Sequence, residues 1–278
     1  MSTEAIRTVT CDLTFQVEEA AELVFQVVAA QSAGWADEES LAVLVDGEPA
    51  SSVTEIGDPY GARIHIIQAE AGRLSLSYRA RIEAAGQNGP TGADGPSAAY
   101  ERQVYLRPSR YCPSDHLIGF AAAQFGTGQH VGARVAAITR WIRQRIGYVP
   151  GSSTVHDSAE DTLLTGMGTC RDFAHLGIAL CRATGIPARF VAVYAPGLSP
   201  MDFHAVFEAF QDGRWNVYDA TGLAPRSSLV RIITGRDAAD AAFAATISGS
   251  ANLEAIDVSA TVEGNLPTDD SSLIVEMA

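Results

Sequence analysis

A chain of 278 residues with 47% hydrophobic content holds enough apolar material for one large core or two modest ones. Its formal charge of −14, from 33 acidic against 19 basic residues, repels phosphate backbones and excludes a nucleic-acid partner on electrostatic grounds. No run approaches membrane-spanning length, and residues 1–7 lack the basic segment and apolar core of a signal peptide. The expectation is a cytoplasmic protein with no membrane contact and with reduced cysteines.

The first 85 residues alternate in short runs at 8–17, 24–29, 41–45, 63–68 and 74–82, with Gly47, Gly57, Gly61 and Gly72 between or beside them. Period-two runs punctuated by glycine predict a β-rich unit, sandwich or barrel. Residues 85–97, rich in Gly and Pro, cannot order themselves by burial and form an exposed loop or linker. Helical spacing then takes over: 114–125 with Ser114 as its cap, and 131–143, whose Arg134, Arg140 and Arg143, with Arg145 just beyond, read as a solvated face. Ser158 to Asp161 opens another short helix before the turn Gly168-Thr169-Cys170.

Cys170 heads an apolar-periodic helix. Segment 187–194 alternates as a strand, a Pro/Gly loop follows, and 202–210 is a second strand with His204 near its start. Residues 211–213 make a hairpin turn, and 215–219 run back so that His204 and Asp219 fall opposite each other. Further on, 236–243 is predicted helical and 253–262 a strand, with a mobile acidic tail after it.

The order Cys170, His204, Asp219 is that of a thiol-dependent acyl-transfer enzyme. A helix N-terminus and an imidazole both favour a thiolate, which attacks a carbonyl carbon to give a thioester. His204 manages the proton, and Asp219 fixes the imidazole tautomer and stabilises its charged form. The Cys170 backbone N–H begins a helix and is a ready oxyanion donor; Tyr148 is the candidate for the second donor or for substrate contact. Cys112 and Cys181 read as packing residues, and His175 as a structural hydrogen-bond partner. Four cysteines and six histidines lack any Cys-x-x-Cys or His-Glu-x-x-His spacing, so neither a metal nor another cofactor is expected.

The runs 165–175, 185–189, 203–205 and 215–221 together resemble the transglutaminase-like superfamily of bacterial cysteine proteases, over about residues 110–245. The resemblance implies an α+β fold: a papain-like or transglutaminase-like core with Cys170 as nucleophile, His204 as base and Asp219 as orienting acid, preceded by a β-rich domain. The expected division is 1–100 for the β-rich unit, 101–264 for the catalytic core and 265–278 for the acidic tail. Val206 departs from the pattern, which often carries tryptophan there, and so bears on the shape of the acyl groove. The expected activity is hydrolysis of a peptide or protein amide; a transamidase that passes the acyl group to an amine, or a non-catalytic scaffold working through its N-terminal domain, are the alternatives.

Overall fold

One strand organises the first half. In β1 (Arg7–Phe25), Val9, Cys11, Leu13, Phe15 and Val17 alternate onto a buried face. The exposed stretch 18–20 and the register shifts beside it bend the strand, so that a single strand serves two partners on one edge. It pairs with β6 (Gly72–Ala84) along 7–17 and with β5 (Arg63–Ala69) along 21–25. Outward from these lie β2 (Gly34–Val45), β3 (Glu48–Pro49) and β4 (Val53–Gly57), in the order β3-β2-β6-β1-β5-β4. The computed structural model describes residues 6–58, 61–84, 96–126, 128, 130–270 and 273–277.

The β-rich expectation is met by one curled sheet rather than by two packed ones. Its seventh strand comes from the far end of the chain: β13 (Ala244–Val262) runs antiparallel along the other edge of β1. The strand expected at 253–262 is therefore longer, and it joins the N-terminal sheet although the expected boundaries group it with the core. Most of the predicted linker, 85–95, lies outside the described residues; α1 (Pro96–Val104) follows it.

The second half is a four-stranded antiparallel sheet, β11-β10-β9-β12, covered by helices. Its strands are β9 (Ala188–Tyr194), β10 (His204–Gln211), β11 (Arg214–Tyr218) and β12 (Val230–Gly235). The central helix α5 (Cys170–Ala183) packs on β9 and β10, flanked by α2 (Ile118–Phe125), α3 (Val131–Arg145) and α4 (Ala159–Thr165). Ser114 does not cap α2, which starts at Ile118 after a turn. Gly177 allows the close approach of α5, because a Cβ there would come within 2.5 Å of the Phe207 ring. Two short parallel strands, β7 (Gly147–Tyr148) and β8 (Met167–Gly168), bring Tyr148 beside the turn that precedes α5.

Hydrogen bonds and aromatic packing join the halves into one core. The Tyr194 hydroxyl donates to the Val27 carbonyl at 2.6 Å, and its ring stacks on Tyr78 with centroids 6.3 Å apart. Beneath the helices Glu208 bridges Arg189 and Arg231, each at 2.6 Å, and Arg189 also reaches Glu101 at 2.6 Å, which fastens α1 to three strands.

Two other expectations change. Residues 236–243 form turns, not a helix: the buried Asp237 carboxylate accepts the N–H groups of Tyr111 and Ala239 at 2.9 Å each, which competes with helical hydrogen bonding. The acidic tail is fastened to the core: Val275 O accepts the Val217 N–H of β11 at 2.8 Å, and Asp269 pairs with Arg226, in the turn before β12, at 2.9 Å.

Candidate active site

Local sequence fixes where Cys170 sits. Thr169 is the N-cap of α5, and Asp172 completes a capping box: its Oδ2 accepts the Thr169 N–H at 2.7 Å and the Thr169 hydroxyl at 2.9 Å. Asp172 also accepts the Ser153 hydroxyl at 2.5 Å, which ties the 150–158 loop to the helix start. Gly168 clears the space, since a Cβ there would lie 2.6 Å from Asp172 Cβ. Cys170 is thus the first helical residue and half-buried, with its backbone N–H at the positive end of the helix.

His204 and Asp219 come from the ends of neighbouring strands. The β10–β11 ladder stops at Phe207 and Tyr218, so the two residues stand just beyond it and meet through their side chains. His204 Nε2 lies 3.0 Å from Asp219 Oδ2, and both groups are buried. Asp219 Oδ1 accepts the Thr221 N–H at 2.8 Å and the Thr221 hydroxyl at 2.6 Å, so its carboxylate is held at both oxygens. The ring's other nitrogen, Nδ1, is buried with no oxygen or nitrogen partner among the described residues, and the Cys170 sulfur is close enough to act on the ring.

Electrostatics follows from this packing. Burial works to lower the His204 pKa, but the Asp219 charge and hydrogen bond override it, the Cys170 sulfur adds to the effect, and the pKa is raised to about 10. Burial likewise works to raise Asp219, while the facing imidazolium and the His204 and Thr221 hydrogen bonds hold it below the usual carboxylate value. The imidazole is therefore charged at neutral pH.

Tyr148 falls in the same place. Its ring meets Phe173 edge-on with centroids 5.9 Å apart, and it is 41% exposed. Burial and the negative charges of Cys170, Asp202 and Asp219 push its hydroxyl up to about 12, against the pull of the Cys170 backbone N–H, so it remains a protonated donor.

The other cysteines are of a different kind. Cys11, Cys112 and Cys181 are buried, and burial pushes each thiol up to about 12. His175 lies between Tyr111 and Phe190, burial pushes its pKa down, and its Nε2 accepts the Ala238 N–H at 3.1 Å. Val206 is packed in a buried cluster with Val191, Val193 and Val217, so it shapes the core and not a groove. Among the described residues no group of three His, Cys, Asp or Glu side chains converges as metal ligands would.

The arginines of α3 divide. Arg140, Arg143 and Arg145 are exposed, as a solvated face requires. Arg134 is buried and donates to Thr184 O at 3.0 Å, and Arg143 donates to Asp219 O and Ala220 O at 2.8 and 3.3 Å. Helical spacing does not distinguish these two from their neighbours, because their acceptors lie 50 or more residues away. Thr221 carries a signal that could have found it: Asp-x-Thr at a strand end favours a side chain that bonds its own backbone.

A model of the transglutaminase-like superfamily matches residues 119–220, which contain Cys170, His204 and Asp219. A solved structure described as a "putative cysteine protease" from Cytophaga hutchinsonii is 37% identical, with 96% of this chain and 94% of that one covered and a TM-score of 0.84. The periplasmic domain of TgpA from Pseudomonas aeruginosa is 20% identical over 80% of this chain and 91% of that one, with a TM-score of 0.43. An uncharacterized protein of Mycobacterium leprae is 30% identical over 149 residues, 49% of this chain and 52% of that protein. The matched region thus spans about half the length of that relative. Among the described residues no helix is long and apolar enough to cross a membrane.

Proposed function

The chain belongs to the transglutaminase-like superfamily, and from that premise we propose that it is a thiol-dependent hydrolase of peptide or protein amides. Cys170 is the nucleophile, His204 the acid and base, and Asp219 the residue that orients and charges His204. The observation that carries the reading is the 3.0 Å contact of His204 Nε2 with Asp219, which leaves Nδ1 to the thiol at the start of α5.

The chemistry balances in two halves. The Cys170 thiolate attacks the amide carbonyl carbon; the C–S bond forms, the C–N bond breaks, and imidazolium Nδ1 gives its proton to the departing amine. Water then attacks the thioester, Nδ1 takes a proton from it, the C–S bond breaks, and the carboxylic acid leaves as the thiolate and imidazolium are restored. The Cys170 backbone N–H stabilises the oxyanion in both halves, with the Tyr148 hydroxyl as the second donor. A reducing, cytoplasmic setting suits a free thiol of this kind. Hydrolysis is preferred to transamidation because the relative that is 37% identical is described as a protease.

Intact-mass measurement after exposure to a peptide mixture tests the assignment. The expected result is a covalent adduct on wild type that decays in water and is absent from Cys170→Ala. Decay that depends instead on an added primary amine makes the protein a transamidase. No adduct with any peptide set or cell extract leaves the scaffold reading.

A further inference from the structure

The acid of the site is held from outside as well as from within. We propose that Arg143 is a positioning residue: its guanidinium holds the main chain that carries Asp219, and through it the carboxylate against His204. The inference rests on the assignment of Asp219 as the orienting acid.

Three observations carry it. First, Nη2 of Arg143 donates to Asp219 O at 2.8 Å and Nε donates to Ala220 O at 3.3 Å. Both carbonyls lie just past the end of β11, where the ladder with β10 has stopped at Tyr218, so the sheet offers them no donor. Second, the backbone downstream is shaped around the guanidinium. Gly222 has φ +67°, and a Cβ there would lie 2.7 Å from Nη2 and 2.8 Å from Cζ. Third, among the described residues no carboxylate pairs with Arg143, unlike Arg226 on the same cleft, which is paired with Asp269. What the Arg143 guanidinium binds is the acid's main chain.

The two supports divide the work. Thr221 and His204 fix the carboxylate oxygens, and Arg143 fixes the peptide from which they extend. A planar guanidinium reaches two successive carbonyls at once, which an ammonium on a single stem does not. The side chain lines a cleft of about 410 Å³ together with Arg140, Tyr218, Asp219 and Gly222, so a small cation from solvent can reach its place. If the peptide drifts by about 1 Å, the acid loses its grip on the imidazole, a misplacement that costs about 100-fold in rate in well-built sites.

The test uses the full chain and needs no substrate. The readouts are the His204 titration midpoint, followed by NMR on histidine-labelled protein, and the rate of Cys170 alkylation by iodoacetamide at about pH 6.5, with circular dichroism to verify folding. Arg143→Ala is expected to lower the midpoint and to slow alkylation by about tenfold or more, since tenfold corresponds to one pH unit in a coupled group. Guanidinium chloride far below denaturing concentration should restore much of the rate to Arg143→Ala and none to Asp219→Asn. Arg143→Lys should be intermediate. Gly222→Ala, which displaces the guanidinium without deleting it, should move both readouts the same way and add nothing to Arg143→Ala. A folded Arg143→Ala with wild-type readouts, beside a perturbed Asp219→Asn, overturns the positioning role and leaves the triad standing. If Asp219→Asn is also unperturbed, the triad assignment itself falls. Should Arg143→Ala not fold, Arg143→Lys and Gly222→Ala decide by the same readouts.

Discussion

Replacing Asp219 with asparagine removes one charge and almost no volume, and the surrounding hydrogen bonds decide how the site responds. Oδ1 accepts two donors from Thr221, at 2.8 and 2.6 Å, while Oδ2 faces His204 Nε2 at 3.0 Å. The amide oxygen of the variant takes the place on Thr221, because only an acceptor fits there, and the NH₂ group is left against Nε2. An imidazole that faces a donor accepts through Nε2 and carries its proton on Nδ1, the wrong tautomer to take a proton from the thiol.

The electrostatic loss adds to the geometric one. With the carboxylate gone, burial dominates, and the His204 midpoint falls from about 10 to its ordinary value of about 6.5 or below. That gap corresponds to roughly 5 kcal/mol of imidazolium stabilisation. The thiol then has no cation beside it, so alkylation of Cys170 at about pH 6.5 should slow by about tenfold or more. The Thr221 bonds and the volume survive, so the variant should still fold, with a melting temperature lowered at neutral pH by the lost stabilisation of the imidazolium. Alkylation rates across pH, read by intact mass, together with the His204 titration, check this. A variant that alkylates as fast as wild type at about pH 6.5, with His204 still titrating near 10, refutes the coupling of acid, base and thiol.

Under native conditions at about pH 6.5, iodoacetamide should label Cys170 and leave Cys11, Cys112 and Cys181 unmodified, because those three are buried with thiols pushed up to about 12; peptide mapping checks this, and even labelling of all four counts against it. Glu208 is fully buried, and although burial works to raise its pKa, Arg189 and Arg231 bring it down to about 2, so its contribution to stability is present above about 4.5 and is lost as the pH falls toward 2. That contribution is on the order of 3 kcal/mol. Glu208→Gln should lower the melting temperature at neutral pH and flatten its fall in acid, as calorimetry at several pH values would show. Gly177→Ala should destabilise by about 1–3 kcal/mol despite alanine's better helix propensity, because its Cβ meets the Phe207 ring at 2.5 Å and that ring is already stacked on Tyr218. Chemical denaturation checks the last, and a more stable variant would show that the ring yields.

Signals that are local in the chain translate directly into structure. The capping box of Thr169 and Asp172 starts α5 at Cys170, and that of Ser158 and Asp161 starts α4, because each needs only four consecutive residues. The turn at Asp212 and Gly213, both at positive φ, closes the β10–β11 hairpin for the same reason. Signals that depend on distant partners do not translate. β13 is exposed over most of its length, so no alternation marks its first half, and it is a strand only because β1, more than 200 residues earlier, offers an edge. The alanine-rich segment 236–243 has good helix propensity, yet Asp237 is drawn into the interior by Tyr111.

The same division runs through the site. Cysteine, histidine and aspartate are legible because their chemistry is unusual in their positions: a thiol at a helix start, and a histidine and an acid at strand ends. Their supports are ordinary residues in ordinary positions. Arg143 occupies a helical face whose spacing is identical whether the guanidinium meets water or a carbonyl, and the carbonyl it meets lies 76 residues on. Gly222 reads as another loop glycine until the guanidinium is seen where its side chain would be. A charge of −14 makes the point sharper, because acids far outnumber bases and an arginine on this chain has carboxylates to choose from. Among the described residues Arg143 takes two main-chain oxygens instead, and those belong to the residue that holds His204 and to its neighbour.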